Sequence, residues 1–363
     1  MTFTSLEPTI LHMSFSIGIV GLPNVGKSTL FRALTKKQVP AENFPFCTID
    51  PNVGVVAVPD DRLEKLSAIC QSGKIVPTTI EFVDIAGLVQ GAHKGEGLGN
   101  KFLSHIREVD AIAHVVRDFK NDDIVHVENR IDREADEQII LLELIMADLS
   151  TVDKKIKDCT AKIRGQDKEA QIALGAFEKI KTRLDAGQVA RGTELTEEEI
   201  LATRDTQLLT AKPMLTVVNV SEDEVVRREP KNNEVIISAK IESELSELPD
   251  AEAKEMLKEL GMHQTGLDKL IVASYKLLNL ITFFTAGPME SKAWTITTGT
   301  KAPQGAGVIH TDFEKGFIRA EVISYQDFVD CNGEAGTRDK GKLRTEGKTY
   351  EIRDGDVCHF LFN

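Results

Sequence analysis

The densest chemical signal in the sequence is the run Gly21-Leu-Pro-Asn-Val-Gly26-Lys27-Ser28. Glycine, four variable residues and then Gly-Lys-Ser is the spacing of a loop that cradles phosphate. Successive backbone N–H groups and the first turn of the following helix converge there on anionic oxygens. Within such a loop Lys27 reaches the β and γ phosphates, and the Ser28 hydroxyl is placed to hold Mg²⁺. Asn24, Val25, Gly26 and Thr29 line the same cradle. An incidental glycine turn would not need a buried strand before it and a helix after it. Both are predicted: Phe15 to Val20 is an apolar run with β-branched residues, and Lys27 to Leu34 reads as a helix.

A second strand, Thr79-Ile-Glu-Phe-Val-Asp84, runs into Ile-Ala-Gly87. Asp84 at that strand's end could reach the magnesium shell through water, and the Gly87 N–H could meet a γ phosphate. Asp-x-x-Gly alone is commonly a capped loop. The upstream phosphate loop and the glycine-rich stretch Gly91 to Gly99 favour the phosphate reading. Thr48, in Asn43-Phe-Pro-Phe-Cys-Thr48-Ile49, could complete the metal shell only when a γ phosphate is present. Its plainer reading is a threonine in a proline-bounded loop.

Hydrolysis would need a positioned water and charge stabilisation rather than covalent chemistry. Leu88 follows Gly87 and cannot orient water. Another group must then act: His93 on the glycine-rich stretch, or a potassium ion coordinated by Asn24. The bland alternatives are an exposed loop histidine and a turn-forming asparagine. Cys47 adjoins Thr48 and reads most simply as a small buried hydrophobe.

Val217-Val-Asn219-Val-Ser-Glu222 occupies the position where a guanine-specific site offers Asn-Lys-x-Asp. The aspartate there takes two hydrogen bonds from the guanine edge, and the lysine supports the loop. Here Val220 replaces the lysine and Glu222 the aspartate. The extra methylene and the lost lysine should spoil a guanine clamp, leaving adenine to be read by Asn219 and backbone groups. Ser238-Ala239-Lys240, after the next strand, suits a loop lying against the base.

The elements that must position these residues alternate. Val53 to Val58, Thr79 to Asp84, Ala111 to Val116, Leu215 to Asn219 and Glu234 to Ile237 read as strands. Helical stretches, such as Leu63 to Cys70 and Gly99 to Arg107, lie between several of them. That alternation predicts an α/β fold with a doubly wound, mostly parallel sheet. From 129 to 211 the pattern changes. Leu141, Ile145, Leu149, Val152, Ile156, Cys159 and Ile163 form a heptad seam, and Ala173, Phe177, Ile180 and Leu184 resume it after a polar break. An antiparallel helical coiled-coil insert is expected, its first helix roughly 50 Å long. From 279 to 363 a small β-rich domain follows, with strands expected at Trp294–Thr298, Phe317–Ser324, Thr349–Ile352 and Val357–Phe362.

The whole chain has 363 residues, 41% hydrophobic and 28% charged, with a net charge of −13. That size accommodates two to three domains at roughly 150 residues each. The acidic balance argues against DNA or RNA held by bulk charge. Outside the 129–211 and 279–363 segments, much of the acidic surplus falls on one expected helical stretch, Glu242 to Glu259. Local basic clusters remain on the insert (Lys154, Lys155, Lys157, Lys162, Arg164, Lys168) and on the last domain (Arg338, Lys340, Lys342, Arg344, Lys348). No apolar run of membrane-spanning length and no secretory signal is expected. Five scattered cysteines without a paired spacing suit reduced thiols in a cytoplasmic protein.

Taken together, Gly18 to Phe31, Asn43 to Ile49, Asp84 to Leu88, Gly91 to Leu103 and Asn219 to Glu222 resemble the YchF/Obg-like ATPases, in the translation-factor class of P-loop GTPases. The resemblance runs from about Met13 to Asn363. It implies a tail at 1–13, with Met13 as an alternative start, and a P-loop G domain from 14–128 plus 212–278. The coiled-coil insert is 129–211, and 279–363 is a ubiquitin-like β-grasp module, the TGS domain. It further implies Mg²⁺-dependent, slow hydrolysis preferring ATP to GTP and association with ribosomes, with neither DNA nor membrane as a partner. Lys27 and Ser28 match the family's phosphate and magnesium contacts. Asn219 and Glu222 match its base-reading motif, and His93 matches its proposed catalytic histidine. Ser221 stands where many members have asparagine. The alternatives are a ribosome- or RNA-binding module whose nucleotide mainly gates docking, and a strict GTPase.

Overall fold

The computed structural model describes residues 15–37, 52–86, 98–120, 132–163, 165 and 167–363. The expectations for Cys47, Thr48, Gly87, Leu88 and His93 lie outside the described residues, as do the tail and Arg164.

The chain begins with β1 (Ser16–Gly21), α1 (Lys27–Lys36), β2 (Val53–Ala57), α2 (Asp61–Cys70), β3 (Ile75–Val76) and β4 (Thr79–Asp84). Next come α3 (Leu98–Glu108), β5 (Ala111–Asp118), α4 (Arg133–Ile163), α5 (Lys168–Asp185) and α6 (Glu197–Thr203). Then follow β6 (Met214–Val220), β7 (Glu234–Ile237), α7 (Ala239–Leu245), α8 (Asp250–Glu259) and α9 (Gly266–Leu277). The last stretch holds β8 (Leu280–Ala286), β9 (Ser291–Thr297), α10 (Ala302–Ile309), α11 (Thr311–Lys315) and β10 (Phe317–Ser324). It closes with α12 (Tyr325–Asp330), α13 (Glu334–Asp339), β11 (Arg344–Glu346) and β12 (Asp356–Phe362).

The first sheet has the order β2-β4-β1-β5-β6-β7. Every pairing is parallel except that of the edge strand β2 with β4. Ile17, Ile19 and Val20 of β1 are fully buried, as expected for a central strand covered on both faces. Helices α1, α3 and α9 contribute Leu30, Phe102, Ile106 and Leu270 to the same core. The acidic stretch after β7 is two helices rather than one, because Pro249 opens α8 after α7 has ended. Its first acid, Glu242, is buried and accepts hydrogen bonds from Gly266 N (2.7 Å) and Leu267 N (3.2 Å), capping α9 from outside.

Helix α4, with 31 residues, is about 46 Å long at 1.5 Å per residue. Its apolar residues divide between two partners. Ile140, Leu144 and Ala147 enter the core of the first sheet. Ile145, Val152 and Cys159 pack instead on Ala173, Phe177, Ile180 and Leu184 of α5, with Leu141, Leu149 and Ile156 at the margin. Ile163 stays outside that cluster. The helix therefore starts as part of the α/β domain and becomes a coiled-coil arm along its length.

The second sheet has the order β11-β10-β12-β8-β9-β3. Thr349–Ile352 is not a strand of it. Only Glu351 makes a bridge, to Lys301, because Ala302 N takes Tyr350 O and Ile352 N takes Thr300 O in a local crossing. The sequence pattern does not show the strands β8 and β11 or the four short helices α10 to α13. The outermost strand, β3, comes from the first domain and runs parallel to β9.

Candidate nucleotide-binding site

The Gly21–Ser28 loop leaves the carboxyl end of β1, at the middle of the first sheet, and feeds straight into α1. Glycine is required at both ends of this turn. A Cβ on Gly21 would stand 2.7 Å from the Val115 carbonyl oxygen on β5. Gly26 caps α1 at φ +94°, and a Cβ there would run into the Asn219 side-chain amide. Asn24 also adopts a positive φ, +65°, a conformation asparagine tolerates better than most residues. Asn24, Ser28 and Thr29 are exposed, whereas Val25 is buried and anchors the loop.

Parallel pairing sets Ile19 of β1 opposite Asp84, the last residue of β4. That register brings the Asp84 carboxylate to the first turn of α1, where it forms an ion pair with the Lys27 ammonium. The side chains are 11% and 21% exposed, so the pair is partly shielded from water. The sequence pattern gives Lys27 to phosphate and Asp84 to the metal shell; the fold sets the two side chains in contact.

On the base side, Asn219 sits on β6 and is 3% exposed. Its Nδ2 donates to the Val25 carbonyl (2.9 Å), and its Oδ1 accepts from Ala239 N (2.9 Å). The amide thus ties the phosphate loop to the Ser238–Ala239 turn, a contact that the sequence pattern does not show. Val220 turns its side chain inward. Its side chain is buried in an apolar cluster with Val116, Val218 and Ile236, so it packs the domain rather than facing a ligand. Ser238 and Ala239 are buried too, which leaves Glu222 and Lys240 as the exposed pair at this end. Lys240 Nζ lies 2.6 Å from Glu222 Oε1, and that hydrogen bond raises the lysine's pKa. Lys240 was named in the sequence only as part of a tripeptide; an acid at 222 and a base at 240 were the available signal.

The donor chemistry fits magnesium. Mg²⁺ favours hard oxygen ligands and is held by one or two protein groups plus substrate phosphates rather than by an all-protein cage. A hydroxyl at Ser28 and a carboxylate at Asp84, on adjoining elements, are such a set. No cluster of three or more His, Cys, Asp or Glu suited to a metal occurs among the described residues.

The two basic clusters differ in how many of their side chains are already paired, Lys340 and Lys348 of the C-terminal domain being exposed without an ion pair among the described residues. On the C-terminal domain, Arg338 pairs with Glu321 and Glu334, Lys342 with Asp327, and Arg344 with Glu346 and Asp356. On the arm, Lys154, Lys157, Lys162 and Lys168 are exposed, and their ammonium groups form no ion pair among the described residues.

Comparison with known proteins adds names to this geometry. Residues 16–147 match a family described as a 50S ribosome-binding GTPase. Residues 280–363 match the YchF GTPase C-terminal family, described as a protein of unknown function. The ribosome-binding ATPase YchF of Bacillus subtilis is 51% identical over 97% of this chain and 100% of its own length. The protein of the same name from Haemophilus influenzae is 52% identical, again over 97% and 100%. Among solved structures, the YchF GTPase of Schizosaccharomyces pombe superposes with a TM-score of 0.85 at 39% identity, covering 96% of this chain and 98% of that one.

Proposed function

The chain belongs to the YchF family, and from that premise we propose that it binds a nucleoside triphosphate at Gly21–Ser28 and hydrolyses it to the diphosphate and phosphate, preferring ATP to GTP. One observation carries this reading. The buried Asn219 amide joins the phosphate loop at Val25 to the base-side turn at Ala239, so the two halves of a nucleotide site form one preorganised unit.

In this mechanism an incoming triphosphate exchanges partners with the Lys27–Asp84 ion pair. Lys27 turns to the phosphate oxygens, and Asp84 is released toward the metal shell. Ser28 and Asp84 would hold Mg²⁺, which when bound neutralises charge on the phosphates. Backbone N–H groups at Gly26 to Thr29 and the start of α1 bind the phosphate chain. On the sequence pattern we assign Thr48 to the metal shell, the Gly87 N–H to the γ phosphate and His93 to the water. Asn24 is assigned to a potassium ion. Leu88 positions no water, so intrinsic turnover is slow. Glu222, held by Lys240 and one methylene longer than aspartate, disfavours guanine.

The relatives named as ribosome-binding, together with the arm's exposed lysines, which form no ion pair among the described residues, support a ribosome as partner in the cytoplasm. They favour nucleotide-gated docking as the use to which hydrolysis is put. Competition binding of ATP against GTP, with phosphate release followed with and without Mg²⁺, tests the enzyme. Equal affinities would refute the stated preference. Co-sedimentation with ribosomes after Lys154, Lys157, Lys162 and Lys168 are changed to Glu tests the docking. Unchanged pelleting would remove the arm from it.

A further inference from the structure

Residues 53–84 link the position of Thr48 to Asp84, and they are divided between the two sheets. Strands β2 and β4 lie in the first sheet, whereas β3 is the edge strand of the second. Helix α2 belongs to the C-terminal domain by packing. Its Leu63 and Leu66, with Ile69 and Cys70, close over Phe284, Ala293, Ile323, Phe328 and Val357. Helix and sheet here share one core, although more than 200 residues of chain separate them.

Polar contacts fasten the same seam. The Arg62 guanidinium donates to Asp60 and, at 2.7 Å, to Asp354, and it lies 5.1 Å above the Phe284 ring centroid. Asp354 also accepts from Thr282 N (2.9 Å), so it ties β8 to α2. Ser72 Oγ donates to the Gly287 carbonyl at 2.7 Å, Gly73 N to the Pro288 carbonyl at 2.9 Å, and Ser291 N to the Lys74 carbonyl at 2.9 Å. Thr78, immediately before β4, hydrogen-bonds to Thr295 of β9. From Thr78 a six-residue strand runs about 20 Å to Asp84, the partner of Lys27.

The geometry points to a coupling device: residues 53–84 and the C-terminal domain form one mechanical unit, through which the phosphate state at Lys27 and Asp84 is transmitted to the β3–β9 seam. This rests on the nucleotide-binding reading of the Gly21–Ser28 loop. The physical reason is that a shared core and a shared strand ladder have few intermediate arrangements. A change of partner at Asp84 is therefore passed on rather than absorbed in a linker. By linkage, contacts at the seam must in turn bias affinity between triphosphate and diphosphate.

Hydrogen exchange of the full chain, with Mg²⁺ and either a non-hydrolysable ATP analogue or ADP, tests this. Protection of 21–28 by both nucleotides is expected, with at least a threefold difference between the two in exchange at 73–76 and 289–293. Thr295→Val and Asp354→Asn, both far in sequence from the phosphate loop, should each shrink that difference while leaving protection of 21–28. Protection of 21–28 with identical exchange at the seam overturns the coupling and leaves the nucleotide site standing. A seam difference that survives both substitutions also overturns it, because these contacts would not carry it. No protection at 21–28 overturns both readings.

Discussion

Lys240 and Glu222 form a 2.6 Å ion pair across the exposed end of the base-side turn. Glu222 stands where a guanine-reading site would have aspartate, so its carboxylate is committed to a neighbouring ammonium. Lys240→Ala should free it and raise GTP affinity relative to ATP several-fold, more so combined with Glu222→Asp. Lys240→Arg should preserve the wild-type ratio. Competition binding measures this, and an unchanged ratio in Lys240→Ala would remove the pair from base selection. Restoring lysine at Val220 is a poorer test, because that side chain is 2% exposed in an apolar cluster and a charge there would cost stability.

Asn219→Ala removes two 2.9 Å hydrogen bonds and leaves the Val25 carbonyl and Ala239 N–H unmatched. Each buried group left so costs about 1–3 kcal/mol. Nucleotide affinity should fall at least tenfold for ATP and GTP alike. A loss confined to one base would instead mean that Asn219 reads the base directly.

Lys27→Ala should lower hydrolysis by a factor on the order of 10²–10³, as for other donors aimed at developing charge. Asp84→Asn removes the charge that holds Lys27, so triphosphate binding without Mg²⁺ should be retained while the Mg²⁺ requirement for hydrolysis becomes steeper. Phosphate-release assays across a magnesium titration distinguish the two, and identical titrations for wild type and Asp84→Asn would take Asp84 out of the metal shell.

His114 on β5 is 2% exposed, and burial pushes its pKa down to about 4. The unfolded chain takes up its proton near pH 6.5 and the folded chain only near 4. Stability from this residue is complete above about pH 6.5 and is lost as pH falls from there toward 4. Urea unfolding at pH 5 should show about 2 kcal/mol less stability than at pH 7 from this source. The histidine's share should vanish in His114→Leu, and an identical pH dependence in that variant would refute the assignment.

The phosphate loop was legible because its chemistry is local. Backbone donors, two glycines and the first turn of α1 lie within about ten residues, and the flanking apolar run and helix pattern say where they sit. The alternation of strands with helices and the heptad rhythm of the arm were legible for the same reason, since each is a short-range period. Thr349–Ile352 misled because a β-leaning composition does not say whether a partner strand runs beside it. In the sequence Glu242 is one of an acidic run, and only the approach of α9 makes it a buried cap.

The sequence by itself determined that a triphosphate-type loop follows a central strand, that an α/β sheet carries it and that a coiled-coil arm interrupts the domain. Tertiary structure decided what those residues touch. It paired Lys27 with Asp84, turned Asn219 inward between Val25 and Ala239, sank Val220 into the core and set Glu222 against Lys240. It also gave α2 and β3 to the C-terminal domain. These are contacts between positions distant in the chain. They are fixed by which apolar faces meet when the whole molecule buries its core, and no local period encodes that.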